Sequence, residues 1–172
     1  MSRVIPLVAE EVVDRRKARR KARSDPETSA IWNLLDTVVD PELPVLSLWD
    51  LGVLQAVTRD SGAIVVTLTP TYSGCPAMEA MTAAVMECLH SAGYPDVRVR
   101  LRLSPAWTTQ WMSDAGRQAL REFGIAPPGE RLACPQCGSN DVVLLSEFGS
   151  TACKSLYRCV ACSEPFDHFK SL

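Results

Sequence analysis

Cys134-Pro135-Gln136-Cys137 and, after twenty-one further residues, Cys159-Val160-Ala161-Cys162 decide how the end of this 172-residue chain must fold. Each C-x-x-C pair makes a tight turn whose two thiolates point at one centre. Two such turns, brought face to face, offer four sulfurs to one metal ion. Gly138 lets the first turn close, and strands are predicted around Val142–Leu145 and Leu156–Arg158. A forty-residue tail is too small to hold itself by burial alone, so it needs a staple. Zinc is the expected metal. A rubredoxin-like iron or a cluster uses the same four thiolates and is the competitor. A site closed by four protein ligands has no position left for water, so its role is structural.

The tail holds five of the seven cysteines. The fifth, Cys153, reads three ways: an alternative ligand, a reactive thiol, or a small buried residue. His168 could replace a ligand, but four cysteines already complete the set.

Working outward, 47% of residues are hydrophobic, and roughly the first 125 can form an ordinary core. No window approaches the ~20 apolar residues of a membrane span. The N-terminus lacks the pattern of a secretory signal. The chain is therefore expected in the cytoplasm, away from membranes, where reduced cysteines favour metal over disulfide. The net charge of −2 hides an asymmetry: residues 3–23 carry eight Lys/Arg against three acids, and the remainder is acidic. Residues 1–24 are read as a mobile basic arm, fit for nucleic acid, for an acidic protein, or merely for solvent. The tail does not extend that basic character, which argues against nucleic acid.

Residues 25–126 read as an α+β domain. Ser24-Asp25-Pro26-Glu27 gives a helix start, and Ile31, Leu34, Leu35 and Val38 follow at helical spacing until Asp40-Pro41. Residues 51–69 read as a hairpin turning at Asp60-Ser61-Gly62. A helix is predicted over Ala77–Ser91, stopped by Gly93. Val97, Val99, Leu101 and Leu103 alternate with arginines as a strand. The order is helix, strand, strand, helix, strand. A Trp107/Trp111 segment and a helix over Ser113–Phe123 trail it. Pro127-Pro128-Gly129 reads as a linker to a ribbon over 127–172.

Cys75 stands in Gly74-Cys75-Pro76, with Pro76 suited to the first position of the following helix. The helix dipole there predicts a thiol more acidic than usual. Thr71, Tyr72 and Ser73 supply hydroxyls nearby. Asp40 and Asp50 are acidic candidates that could converge on it, or else a turn residue and a strand-start cap. Cys88 belongs to the apolar face of its helix. No His lies near Cys75 in sequence, no phosphate loop appears, and no acid–base pair or open metal site is evident. An enzyme is therefore the least supported class.

The stretch Asp40-Pro-Glu-Leu-Pro-Val-Leu-Ser-Leu-Trp-Asp-Leu-Gly52, with Thr69-Pro-Thr-Tyr-Ser-Gly-Cys-Pro76, resembles the small-domain family of iron–sulfur assembly factors. Ser104-Pro-Ala-Trp-Thr-Thr-Gln-Trp-Met-Ser113, Phe148-Gly-Ser-Thr-Ala-Cys-Lys-Ser-Leu-Tyr-Arg-Cys159 and Glu164-Pro-Phe-Asp-His-Phe-Lys170 narrow the resemblance to the phenylacetyl-CoA epoxidase D-component family. It spans about residues 28–172 and leaves the basic arm outside. It implies an accessory or maturation role in phenylacetate catabolism, beside a di-iron oxygenase and an iron–sulfur reductase. It also implies that Cys75 handles iron or a cluster, with Asp40 and Asp50 at the family's acidic positions. A cluster takes four thiolates, so a homo-oligomer, a small thiol or the client must complete the set. A docking subunit and a nucleic-acid-binding protein are the alternatives.

Overall fold

The computed structural model describes residues 17–129 and 131–172. Most of the basic arm, residues 1–16, lies outside them, and so does its expected mobility. Residues 17–23 form helix α1, and it is docked rather than free. Arg19 is buried, and its guanidinium donates to the carbonyls of Leu54 (3.0 Å), Trp111 (2.9 Å) and Trp49 (2.8 Å). It also lies 4.5 Å over the Trp49 ring, and Arg23, paired with Asp36, lies 4.8 Å over the same ring. A planar cation with five donors can satisfy several carbonyls and stack at once, so part of the charge run serves the core.

The first sheet has the order β1-β2-β3, formed by Leu54–Asp60, Ala63–Leu68 and Val97–Leu101. β1 and β2 are antiparallel around Ser61 and Gly62, both with positive φ as a two-residue hairpin turn requires. β2 lies centrally and every one of its residues is buried. Its pairing with β3 is parallel and needs a crossover. Helix α4 (Met78–Ser91) supplies it, burying Met78, Met81, Val85 and Leu89.

The first core helix, α2 (Ser29–Leu35), is shorter than the sequence predicts. At its start, Asp25 accepts the Glu27 N–H through its carboxylate (2.9 Å) and forms a separate turn. At its end, Val39 pairs with Ser47 as a β-bridge, which withdraws the residues before Asp40 from the helix. That bridge leads into an unforeseen single turn, α3 (Leu48–Leu51), capped by Ser47 and closed by Gly52 at φ +85°. A Cβ on Gly52 would stand 2.8 Å from the Trp111 carbonyl oxygen, so only glycine fits. The trailing segment makes a 3-10 turn at Thr109–Trp111 and helix α5 (Asp114–Glu122), with Trp107 and Trp111 buried.

The second sheet is antiparallel, β4-β5-β6, formed by Val142–Ser146, Lys154–Cys159 and Pro165–Phe169. β6 has no sequence forecast, because a Pro start and interior Asp and His hide its period. It also fixes the linker. Ala126 donates to Asp167 O and accepts from Phe169 N–H, both at 2.9 Å, and Pro127 and Pro128 are buried. The segment is therefore a pinned connection. Phe169 is wholly buried in the first domain's core, 6.0 Å from the Trp107 ring. Among the described residues no helix is long and apolar enough to cross a membrane.

Arg19→Ala removes a buried donor from three carbonyls, of which Trp49 O keeps the Gly52 N–H, and should destabilise the fold by about 2 kcal/mol in urea denaturation. Exposed Arg20→Ala should stay within about 0.5 kcal/mol. Equal effects would contradict the docked reading of α1.

Candidate metal centre and thiol site

The four ribbon cysteines converge. Cys134 and Cys162 sulfurs lie 3.7 Å apart, Cys137 and Cys159 lie 3.5 Å apart, and all four fall within 4.8 Å of one another. A tetrahedron with Zn–S bonds near ~2.3 Å has edges of about 3.8 Å, whereas a disulfide needs about 2.05 Å. The donor set therefore fits a tetrahedral thiophilic cation.

Two matching turns build it. Cys134 N–H donates to Ser139 O (2.8 Å), and Cys159 N–H donates to Glu164 O (2.9 Å). The residue after each second cysteine is left-handed, Gly138 at φ +75° and Ser163 at φ +66°. The sequence signals the first turn by its glycine and conceals the second behind serine. Inside the second turn, the Cys162 N–H helps hold the Cys159 thiol down to about 7. Against the Glu164 N–H, burial and the neighbouring sulfurs of Cys137 and Cys159 push the Cys162 thiol up to about 12. Without a cation the four therefore do not all ionise. Donors aimed at a sulfur favour the thiolate a metal needs.

A second group of side chains forms where the two domains meet. Cys75 closes a turn, its N–H donating to Tyr72 O (3.2 Å), and is half-buried before α4. The dipole forecast for its thiol has the wrong sign. Burial pushes the Cys75 thiol up; the Ala77 N–H opposes this, but Glu42, Asp40 and Cys153 push it further. Neighbouring acids and lost solvent outweigh the helix terminus. Burial also raises the Tyr72 hydroxyl, with Cys75, Glu42 and Cys153 adding to it.

Asp40 is buried and holds its own loop. Its Oδ1 accepts the N–H groups of Glu42 (2.7 Å) and Leu43 (2.8 Å). Burial raises its carboxyl against those two bonds and the Lys154 charge. Lys154 comes from β5, is itself buried, and places Nζ 3.2 Å from Asp167 Oδ2. Asp40 thus serves the turn, and its charge also bears on Cys75. Glu42 belongs to the Asp40-Pro-Glu stretch and Lys154 to the stretch before Cys159, and only the fold brings the two near one another.

Asp50 is placed elsewhere. Its carboxylate accepts from Ser47 Oγ (2.7 Å) and from Ser113 Oγ, and its carbonyl accepts the Ser113 N–H (2.9 Å). It ties α3 to the start of α5. Cys88 packs between α4 and α2, its sulfur 3.5 Å from Leu34 O. His168 sits on β6 beside Ser155, and burial lowers its imidazole. It is not among the clustered ligands.

Comparison with known proteins finds two families along the chain. The iron–sulfur cluster assembly protein family matches residues 28–108, and the PaaD zinc beta ribbon domain matches residues 124–170. The D component of a putative 1,2-phenylacetyl-CoA epoxidase from Escherichia coli (strain K12) is 47% identical over 156 residues, which cover 86% of this chain and 94% of that one. An Fe-S protein maturation auxiliary factor of Porphyromonas gingivalis is 34% identical, covering 55% of this chain and 89% of its own. The crystal structure of a DUF59 domain from Bacillus anthracis superposes with a TM-score of 0.50 at 25% identity, over 60% of this chain and 95% of that one. With an assembly-type α+β domain carrying a four-cysteine ribbon, and near-complete coverage of the Escherichia coli relative, the chain belongs to the D-component family of 1,2-phenylacetyl-CoA epoxidases.

Proposed function

We propose that this chain is a cytoplasmic accessory or maturation factor of a phenylacetyl-CoA epoxidase complex in phenylacetate catabolism, assisting insertion of iron or an iron–sulfur cluster. The observation that carries the reading is the half-buried Cys75, set among Asp40, Glu42 and Cys153 inside the region matched by the iron–sulfur assembly family. Its partners would be the oxygenase or the iron–sulfur reductase component. The ribbon's four cysteines would hold zinc as a structural ion, with no step of chemistry routed through it.

Iron binds a thiolate, not a thiol. With its thiol pushed up, Cys75 rests protonated, and an arriving cation displaces the proton to solvent. The acids alongside draw a cation in and disfavour a free thiolate. Arg19 and Arg23 are already committed to carbonyls, Trp49 and Asp36, which leaves less of the arm to support a nucleic-acid role. A second reading, a docking subunit without cargo, draws on one observation: β4 is an edge strand with Val143, Leu144 and Leu145 exposed, and Phe148 is exposed beside it.

Three measurements bear on this reading. Anaerobic reconstitution of Cys75→Ser should lose the visible absorbance of loaded protein and the activation of the client; unchanged activation would favour docking. In zinc-loaded protein, alkylation of Cys75 should be slow at neutral pH and rise with a midpoint above the ordinary thiol value near ~8.5. A midpoint at or below that value would restore the dipole forecast. Removing the ribbon's zinc with a strong chelator should abolish amide protection in β4–β6 and shift the fluorescence of Trp107, which packs on Phe169. A metal-free ribbon with full chemical-shift dispersion would overturn the structural role.

A further inference from the structure

The ribbon's fifth cysteine, Cys153, is buried in the first domain's core cluster and stands outside the four metal-capable sulfurs. The chemistry that faces outward lies on the first sheet. Among the described residues its strand β3 is an edge, paired with β2 alone. Ile64 N–H donates to Asp96 O (2.9 Å), and Arg102 N–H donates to Leu68 O (2.8 Å). A parallel ladder uses every second residue of a strand, so Asp96, Arg98, Arg100 and Arg102 turn their backbone groups to β2. The N–H and C=O groups of Val97, Val99 and Leu101 therefore point out of the sheet edge.

The side chains alternate between the two faces. Val97, Val99 and Leu101 sit in register with Ile64, Val66 and Leu68, on the face that α4 covers. Leu101 is 52% exposed at its rim, and Leu103, just beyond the strand, is 58% exposed. Arg98 and Arg100 sit in register with Val65 and Thr67 on the opposite face, and both are exposed. Arg98 meets Asp96 at 3.2 Å in a pair open to solvent, which is worth little to the fold. Arg102 donates to Gln55 Oε1 (3.3 Å). The edge thus combines open backbone, a basic face and an apolar rim, on a chain whose body is acidic.

We propose that β3 is a docking edge for an extended segment of a partner protein that carries acidic residues at alternate positions with apolar residues between them. Such a segment adds a fourth strand to the sheet. Its backbone pairs with Val97, Val99 and Leu101, its acids lie opposite Arg98 and Arg100, and its apolar side chains cover Leu101 and Leu103. Charge selects the occupant. A second copy pairing about Val99 would set the Arg98 of each against the Arg100 of the other, and like charges directly opposite repel. The apolar edge β4 has Asp141 and Glu147 at its ends and turns an acidic segment away. At the far side of the first sheet, Arg19 already occupies the Leu54 carbonyl of β1. The proposal stands apart from the cargo reading of Cys75.

The test uses the full-length, zinc-loaded chain, isotope-labelled for NMR, and a capped octapeptide in which glutamate and valine alternate. Binding should shift the amide signals of Val97, Val99 and Leu101 and slow their exchange with solvent, leaving β4 unmoved. Arg98→Glu combined with Arg100→Glu should weaken binding about tenfold. The same variant should take up a peptide in which lysine replaces glutamate, which shows that it is still folded. Leu101→Pro removes one outward N–H and no bond to β2, so it should weaken binding more than Leu101→Thr, which keeps that N–H. Absence of binding overturns the proposal. Equal binding of a peptide with the same residues in two blocks also overturns it, because bare charge would then suffice. A response centred on β4, or a dimer formed through β3, does the same.

Discussion

Four cysteine sulfurs within 4.8 Å of one another would repel if all were thiolates, and they present the donor set that a tetrahedral cation fits. The rest of the interface depends on that knot. It fixes the two turns, the turns set the register of β4–β6, and the sheet delivers Phe169 and Cys153 into the first domain. A ribbon of this size has little core of its own, and metal ligation supplies on the order of 10 kcal/mol in such modules. A structural ion at this site, as proposed, would therefore act at a distance.

The junction between the domains is equally specific. Ala126 extends β6 by two backbone hydrogen bonds, Thr109 N–H donates to Leu172 O at 3.1 Å, and Arg117 donates to the carbonyls of Thr109 and Pro128. Buried prolines and paired carbonyls leave the connection no freedom to swing.

Much of the fold was legible because local rules and tertiary packing agree. The hairpin turn at Ser61-Gly62, the helix before Gly93 and the alternating strand at Val97 appear where their patterns place them. The four-cysteine centre was legible because its geometry is written in two short spacings. What stayed hidden depends on contacts distant in sequence. Val39 leaves its helix to meet Ser47, and β6 exists because β5 and Ala126 pair with it. Arg19 looked like one more charge in a basic run until three carbonyls converged on it. Asp40 and Asp50 looked alike in sequence. One holds its own loop through the Glu42 and Leu43 N–H groups, and the other bridges two helices through Ser47 and Ser113.

The reversed sign at Cys75 ties these strands together. A helix terminus acts within about one turn and weakly, whereas α4 begins only at Met78. Burial and three neighbouring groups that carry negative charge when ionised act directly on the sulfur. An acidic thiol would be nucleophilic and open to oxidation at rest. A thiol kept protonated is quiet until a cation arrives, and then binds it beside carboxylates that have lost their reason to repel. The same neighbours that make Cys75 a poor free nucleophile would, under the proposed function, make it a reversible ligand, which is the property a metal-delivering protein needs.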